Sequence, residues 1–146
     1  MTEKKNELFD NLTAMTQRYS APAGRVFIAL IFFMSGLNKI GSYEATSGWM
    51  EGMGVSSGFL PLVIALEIFG GLAIILGWQT KIFAFLLAGF CILSALVFHS
   101  NFSDQSEMIN FMKNVAIAGG FLFLVANGPG SYSLDNLQNH RKSLKK

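Results

Sequence analysis

The sequence has few charged residues and few of the side chains that bind metals. It contains one cysteine, two histidines and nine Asp or Glu among 146 residues, and only 14% of its residues are charged. A single cysteine, Cys91, excludes an intramolecular disulfide and a cysteine-rich metal or iron–sulfur site. The two histidines cannot provide bis-histidine haem ligation within one chain, because His140 lies in the polar tail. We therefore predict no metal site and no cofactor held by the chain alone.

Apolar residues dominate the composition. Hydrophobic residues make up 51% of the chain, and the mean hydropathy is +0.43. A soluble domain of this size has too little interior to bury so much apolar surface. The net charge of +2 is too small to indicate a nucleic-acid partner, and most basic residues lie in the two terminal segments. The composition predicts an integral membrane protein whose main partner is the lipid bilayer.

Four apolar runs are close to the ~20 residues that a helix needs to cross a bilayer. They cover approximately residues 23–40, 59–77, 82–98 and 109–126. The runs are continuously apolar and lack the alternation of membrane strands. We therefore predict an all-α membrane protein, a bundle of four transmembrane helices within residues 23–126. This domain follows a segment of residues 1–22 and precedes a basic tail of residues 127–146.

The basic residues of the connections predict the orientation. Lys4, Lys5 and Arg18 precede the first run, Lys81 lies between the second and third runs, and four more basic residues lie in the tail. The connections at 41–58 and 100–108 contain no Lys or Arg. The positive-inside rule then places both termini in the cytoplasm. Because residues 1–20 are polar and unlike a secretory signal, we expect the first run to remain in the mature protein.

The N-terminal segment has an amphipathic pattern. Its apolar residues fall near one helical face: Leu8, Phe9, Leu12, Met15 and Tyr19. This pattern predicts a cytoplasmic segment lying on the membrane surface, with a frayed terminus as the alternative.

Two charged residues lie inside predicted spans. A charge at the centre of a membrane helix costs about 2.5–3.5 kcal/mol, so it needs a partner or a task. Glu67 lies ~12 Å below the start of the second run, and Lys113 lies ~6 Å below the start of the fourth, at 1.5 Å per residue. A lysine stem is long enough to cover the difference in depth. We therefore predict that Glu67 pairs with Lys113.

Further polar residues gather in the outer half of the bundle, above Glu67. Small residues on the second and third helices, including Gly70, Gly71 and Ala95, would let the helices approach closely. We predict a polar pocket that opens to the outer side. The predicted ligand-binding residues are Asn38, Lys39, Glu67, His99, Lys113 and Asn114, and the catalytic candidates among them are Glu67, His99 and Lys113.

Each of these charges also has a structural interpretation. Arg25 and Lys39 could extend to the interface from helix ends, and His99 could cap its helix. Glu67 with Lys113 could be an ion pair that only fixes the bundle. In the functional interpretation, the pocket binds a small polar or redox-active head group, or relays protons.

Ordered motifs run through the chain from about residue 22 to residue 137. They are Arg25, Ser35-Gly36-Leu37-Asn38-Lys39-Ile40, Leu60-Pro61-Leu62-Val63, Glu67 with Gly70-Gly71, Gly77, Phe98-His99-Ser100-Asn101-Phe102, Phe111-Met112-Lys113-Asn114, Gly119-Gly120 and Gly128-Pro129-Gly130-Ser131-Tyr132-Ser133. This set resembles the DoxX family of small four-helix membrane proteins, and within it the enterobacterial inner-membrane type. The resemblance implies a membrane subunit linked to quinone redox chemistry, such as a subunit of a thiosulfate:quinone oxidoreductase or a terminal quinol oxidase.

The leading functional prediction is therefore a multi-pass inner-membrane protein that acts as a quinone- or quinol-linked redox subunit or accessory. If it takes part in catalysis, it does so as an oxidoreductase subunit that needs a redox centre on a partner. Two alternatives remain open, a small transporter or permeability protein and a purely structural membrane partner. The predicted partners beyond the bilayer are a membrane redox protein or a second copy of the chain.

Overall fold

All regular secondary structure in the computed structural model, which describes residues 2–145, is helical. The side chains of residues 2–8, 10, 14 and 17 lie outside this description. Within the described residues, four helical segments are long and apolar enough to cross a membrane. These are Asn11–Gly41, Ser57–Leu76, Thr80–Phe98 and Gln105–Asn127, called here the first to fourth spans. The predicted all-α fold with four spans is confirmed.

The described residues form helical structure of three kinds, α-helices, a 3-10 turn and a π-helical turn. The α-helices of the described residues are α1 (Thr2–Gly41), α2 (Tyr43–Gly52), α3 (Leu60–Ala65), α4 (Gly71–Leu76), α5 (Thr80–Phe98), α6 (Gln105–Asn127) and α7 (Leu134–Ser143). A 3-10 turn at Ser57–Phe59 begins the second span, and a π-helical turn at Leu66–Gly70 separates α3 from α4. Helix α1 continues through Pro22, so the predicted N-terminal segment and the first run form one helix. Leu8, one of the predicted amphipathic residues, lies outside the described side chains.

Large apolar side chains cover the outside of the bundle. Phe27, Leu93 and Phe123 are 78%, 64% and 70% exposed, on the first, third and fourth spans respectively. In water such a surface would drive aggregation, whereas hydrocarbon solvates it without cost. The exposure pattern is that of a protein whose solvent is the bilayer.

Small residues set the distances between the spans. The first span packs along the second, the second also contacts the third, and the third packs along the fourth, whereas the first and fourth touch little. A Cβ atom on Gly71 would lie 3.0 Å from the backbone nitrogen of Phe33, so the first and second spans meet there backbone to backbone. On the third span, the stripe of Ala84, Ala88, Cys91 and Ala95 is buried. Van der Waals contact between small residues is what holds such helices together in lipid.

The two ends of the bundle differ, and we name them by their residues. The cavity end carries α2 and His99, and the terminal end carries Arg25, Gly77 and the segment leading to α7. At the terminal end Arg25 is only 2% exposed, and its Nη1 and Nη2 donate hydrogen bonds to the carbonyl oxygens of Pro129 (2.7 Å) and Tyr132 (2.6 Å). The interpretation of Arg25 as a residue extending to the interface is therefore wrong, because its guanidinium is buried and donates to two main-chain carbonyls.

The tail at the terminal end is tied to the bundle by Asp135. The Asp135 carboxylate accepts hydrogen bonds from the backbone N–H groups of Gln79 (2.7 Å) and Thr80 (2.9 Å), which begin α5. The backbone N–H of Asp135 donates to the Gly77 carbonyl at 2.9 Å. A carboxylate at a helix N-terminus satisfies free donors and complements the helix dipole. The C-terminal segment therefore supplies the cap that the third span lacks in its own sequence.

The fourth span begins with a cap of its own. Asp104 accepts hydrogen bonds from the Ser106 hydroxyl (2.7 Å) and the Ser106 backbone N–H (2.8 Å). These bonds hold the pKa of the Asp104 carboxyl below its ordinary value. The start of α6 is thereby fixed at the cavity end.

Candidate functional site

A cavity of about 370 Å³ lies at the cavity end, enclosed by all four spans and α2. This is within the usual size range of small-molecule sites. Its apolar walls include Phe32, Phe90 and Trp49. The polar residues that line it are Ser35, Lys39, Thr46, Glu67, Ser94, His99, Asn110, Lys113 and Asn114.

Glu67 lies in the wall of the cavity and is 3% exposed. The Lys39 Nζ lies 2.9 Å from each of its carboxylate oxygens and donates a hydrogen bond to Oε1. The Ser35 hydroxyl also donates to Oε1, at 3.1 Å, and itself accepts from the Lys39 Nζ at 2.6 Å. Three polar side chains therefore close a small network in which opposite charges compensate each other in a low dielectric.

The local structure explains this network. Ser35 and Lys39 are one turn apart on α1, so their side chains lie on the same face. The first span packs against the π turn that contains Glu67. A π turn is wider than an α turn and occurs often at functional sites. The carboxylate is thus presented to the first span where Ser35 and Lys39 can reach it.

The prediction that Glu67 pairs with Lys113 is wrong. Glu67 is bonded to Lys39, whereas Lys113 is exposed and lines another part of the same cavity. The physical reason is the order of the spans around the bundle, since the first span and not the fourth packs along the π turn. The depth of a residue along its helix does not determine which neighbouring helix it faces.

His99 forms a second polar pair at the cavity end. Its Nδ1 lies 2.6 Å from Oε2 of Glu107, which belongs to the first turn of α6. The pair connects the end of the third span with the start of the fourth. The backbone N–H of His99 also donates to the Ala95 carbonyl at 3.0 Å, so His99 ends α5 as well as lining the cavity. Sequence reasoning missed Glu107, although an acidic residue beginning the helix that follows His99 was a signal.

The remaining predicted ligand-binding residues divide into two groups. Lys113 and Asn114 line the cavity, and the Asn114 amide donates to the Asn110 carbonyl at 3.0 Å. Asn38 is exposed and lies outside the cavity lining, so its predicted place in the pocket is wrong. The reason is its angular position on α1, because residues 35 and 39 lie one turn apart on the face that turns inward while residue 38 turns away.

Helix α2 forms part of the cavity wall, which the sequence reasoning did not predict. Thr46, Trp49 and Met50 line the cavity from this helix. The Trp49 ring stacks on Phe98 with centroids 4.6 Å apart. The spacing of these three residues, i, i+3 and i+4, is that of one helical face and was the available signal.

A second recess, of about 440 Å³, lies at the terminal end between α1 and α6. It is lined by Gly24, Arg25, Gly120 and neighbouring residues and shares no lining residue with the cavity. The Phe32 and Phe121 rings, 5.3 Å apart, pack in the core between the two. The transporter alternative would require a path that joins them, and in this conformation they are separate.

Metal-binding side chains do not cluster in the described part of the chain. Among the side chains that the structure describes, which leave out those of residues 2–8, 10, 14 and 17, no three His, Cys, Asp or Glu lie near enough to one another to hold a metal ion. The side chains that line the cavity supply hydrogen-bond donors and acceptors and charged groups.

Four apolar spans around a charged cavity define a polytopic membrane protein with a polar site at membrane depth. The DoxX family model matches residues 21–100. The chain is 47% identical over 117 residues to the Inner membrane protein YqjF of Escherichia coli (strain K12), covering 80% of this chain and 90% of that protein. It is 34% identical over 118 residues to the Inner membrane protein YphA of the same organism, covering 76% of this chain and 84% of that protein. No solved structure matches the chain.

The chain therefore belongs to the DoxX family. It is a multi-pass inner-membrane protein, since these relatives are named as inner-membrane proteins and four helices are able to span the bilayer.

Proposed function

We propose that the protein is a quinone- or quinol-linked subunit or accessory of a membrane redox complex, and that its cavity binds the quinone head group. The observation that carries this proposal is the pair of buried Glu67 with half-buried Lys39, which lines the same cavity as His99. A quinone has two carbonyl acceptors and becomes a double hydroxyl donor on reduction. Its site therefore needs donors and proton acceptors close together, at a depth that a lipid-soluble molecule reaches.

The residues of the cavity have complementary roles in this proposal. Lys39, Lys113 and Asn114 donate hydrogen bonds to the quinone oxygens. Glu67 and His99 accept and return protons, so Glu67, His99 and Lys113 remain the catalytic candidates. Glu107, bonded to the Nδ1 of His99, orients the imidazole and fixes which nitrogen faces the ligand.

Balance of the reaction requires a partner. Oxidation of a quinol to a quinone releases two protons and two electrons. The protons pass to Glu67 and His99 and then to water at the cavity end. The electrons pass to a redox centre held by a partner subunit, so the isolated chain binds the ligand without turning it over.

The proposal includes an orientation, with the cavity end on the outer side and the terminal end in the cytoplasm. It is supported by Lys81 and the basic tail at the terminal end and by the absence of Lys and Arg from the connections at the cavity end. A reporter that fluoresces only in the cytoplasm should be bright when fused after Lys146 and dark when inserted near Gly52. Bright fluorescence at both positions, or the reverse pattern, would contradict the orientation.

The two tryptophans provide a direct test of head-group binding. Trp49 lines the cavity, whereas Trp78 lies between the second and third spans at the terminal end. Quinones quench indole fluorescence at short range. In nanodiscs, Trp78→Phe, which leaves only Trp49, should show saturable quenching by a quinone head-group analogue. The matched variant Trp49→Phe, which leaves only Trp78, should show weak quenching without saturation.

Substitutions in the Trp78→Phe background then assign the residues. Glu67→Gln and His99→Ala should each weaken binding about tenfold, the equivalent of one hydrogen bond to a charged group. Arg25→Lys, at the opposite end, should leave binding unchanged. The proposal fails if no saturable quenching occurs, or if binding is indifferent to both cavity substitutions.

A further inference from the structure

An apolar groove lies beside the polar cavity, between the second and third spans. It has a volume of about 350 Å³, and every lining residue except Ser94 is apolar. Phe59 and Leu62 line it from the second span, and Leu93 and Val97 line it from the third. These four side chains are 43–66% exposed, so the groove opens toward the hydrocarbon around the bundle.

The groove and the cavity share a wall. Met50, Val63, Phe90, Ser94 and Phe98 line both. On one side of this wall are the charged groups of Glu67 and Lys39, and on the other side every lining residue is apolar apart from Ser94 of the wall itself. The shared wall thus separates a polar site inside the bundle, around Glu67, from a lipid-facing surface at Leu93.

From this arrangement we infer that the site takes an amphipathic ligand from the membrane, with its polar head in the cavity and its apolar tail in the groove. The inference rests on the proposed function and narrows it, because the ligand must carry a hydrophobic chain. The head group passes between the second and third spans beside Ser94 and Phe98, and the tail remains in contact with hydrocarbon. A water-soluble ligand entering from the outer surface would make no use of the groove.

Packing of the tail in the groove adds to the binding affinity that the head-group contacts provide. Apolar surface of the ligand that packs on Leu62, Leu93 and Val97 exchanges mobile lipid contacts for fixed ones, so the gain depends on the fit to this groove. A bulk lipid chain would also cover the groove, but it would not connect with the polar contacts of Glu67. The connection between head and tail is what makes the binding specific.

The experiment fills the groove without touching the cavity. Leu93→Phe with Val97→Phe adds volume to the third-span wall of the groove, at positions that line only the groove. The matched control is Ile92→Phe with Leu96→Phe. These positions have the same spacing on the same helix, are exposed, and line neither the cavity nor the groove. Binding of a benzoquinone head group without a tail, and of the same head group with a decyl chain, is measured for each protein in nanodiscs.

For the unsubstituted protein, the decyl analogue should bind at least about tenfold tighter per mole of lipid than the tail-less one. The groove-filling pair should remove most of that advantage and leave binding of the tail-less analogue unchanged, whereas the control pair should change neither. If the groove-filled protein binds the decyl analogue as tightly as the control does, the groove holds only bulk lipid and the inference is overturned. If even the tail-less analogue fails to saturate any of the proteins, the proposed function itself fails.

Discussion

The two ends of the bundle hold charges in different ways. At the cavity end, Lys39 and Glu67 pair with each other and line a cavity. At the terminal end, Arg25 is enclosed, and two main-chain carbonyls of the C-terminal segment accept its hydrogen bonds. Both arrangements give a charge within a membrane protein a partner, which is an opposite charge at the cavity end and main-chain carbonyls at the terminal end. Both charges line a recess, but only at the cavity end do a cation and an anion line it together.

Because of this difference, we interpret the cavity end as a ligand site and the hydrogen bonds of Arg25 at the terminal end as structural. Two guanidinium nitrogens of Arg25 already donate to carbonyls of the C-terminal segment, and removal of the guanidinium would release that segment. A carboxylate beside a lysine at a cavity wall can change partners when a ligand arrives. We therefore expect substitutions at the terminal end to lower stability, and substitutions at the cavity end to affect ligand binding.

The largest effect is expected at Arg25. Arg25→Met leaves the Pro129 and Tyr132 carbonyls without their donor, and should lower the free energy of unfolding by about 3 kcal/mol. Arg25→Lys should lose less than Arg25→Met, because an ammonium still donates hydrogen bonds although it cannot reproduce the geometry of the guanidinium fork. Thermal unfolding in detergent measures both. Lys81→Met, which removes an exposed basic residue at the same end, is the control. Equal losses for Arg25→Met and Lys81→Met would show that the free energy of unfolding depends on the positive charge at this end and not on the hydrogen bonds from Arg25 to the C-terminal segment.

A smaller effect is expected for Glu67 and Lys39. Glu67→Gln and Lys39→Met each leave one partner without its opposite charge, so the double variant should lose less than the two single losses added together. The coupling should be on the order of 1–2 kcal/mol in a thermodynamic cycle. The corresponding cycle of Glu67→Gln with Lys113→Met should be additive. Coupling to Lys113 and not to Lys39 would reverse the assignment of the pair.

The smallest effect on stability is expected at the mouth of the cavity. Because His99 and Glu107 are both partly exposed, Glu107→Gln should change the free energy of unfolding by less than about 1 kcal/mol. Quinone binding should nevertheless weaken, in the same direction as for His99→Ala, because the imidazole loses its orienting partner. Glu44→Gln, an exposed acidic residue in the first turn of α2, should leave both measurements unchanged. A large loss of stability with unaltered binding would show that the His99–Glu107 pair has a structural role, like the hydrogen bonds of Arg25.

Hydropathy and charge were enough to predict the spans, because transfer to the bilayer depends on the composition of a run and not on its neighbours. They also placed Asn38, Lys39, His99 and Lys113 in the outer half above Glu67, and all of these except Asn38 line one cavity with Glu67. The partner of Glu67 could not be predicted in this way. Depth follows from counting residues, whereas the choice between Lys39 and Lys113 depends on which helices adjoin.

The tie at Arg25 was beyond prediction for another reason. Its partners are main-chain carbonyls, and every residue has one, so no side chain in the sequence marks them. Helix α2 is short, and the two glycines at positions 48 and 52 weaken its helical signal. These features arise from tertiary packing, which local patterns record only weakly.

The π turn at Leu66–Gly70 makes the number of residues in the second span as important as their identity. An i→i+5 turn holds about one residue more than an α turn, and each residue advances a helix by about 100°. Deleting one residue there would leave the hydropathy of the span almost unchanged, and the span would still cross the bilayer. The carboxylate of Glu67, however, would rotate away from Ser35 relative to the Gly71 face that packs on Phe33. The site therefore depends on the number of residues in the second span. Two sequences of nearly identical composition could differ in whether they possess it.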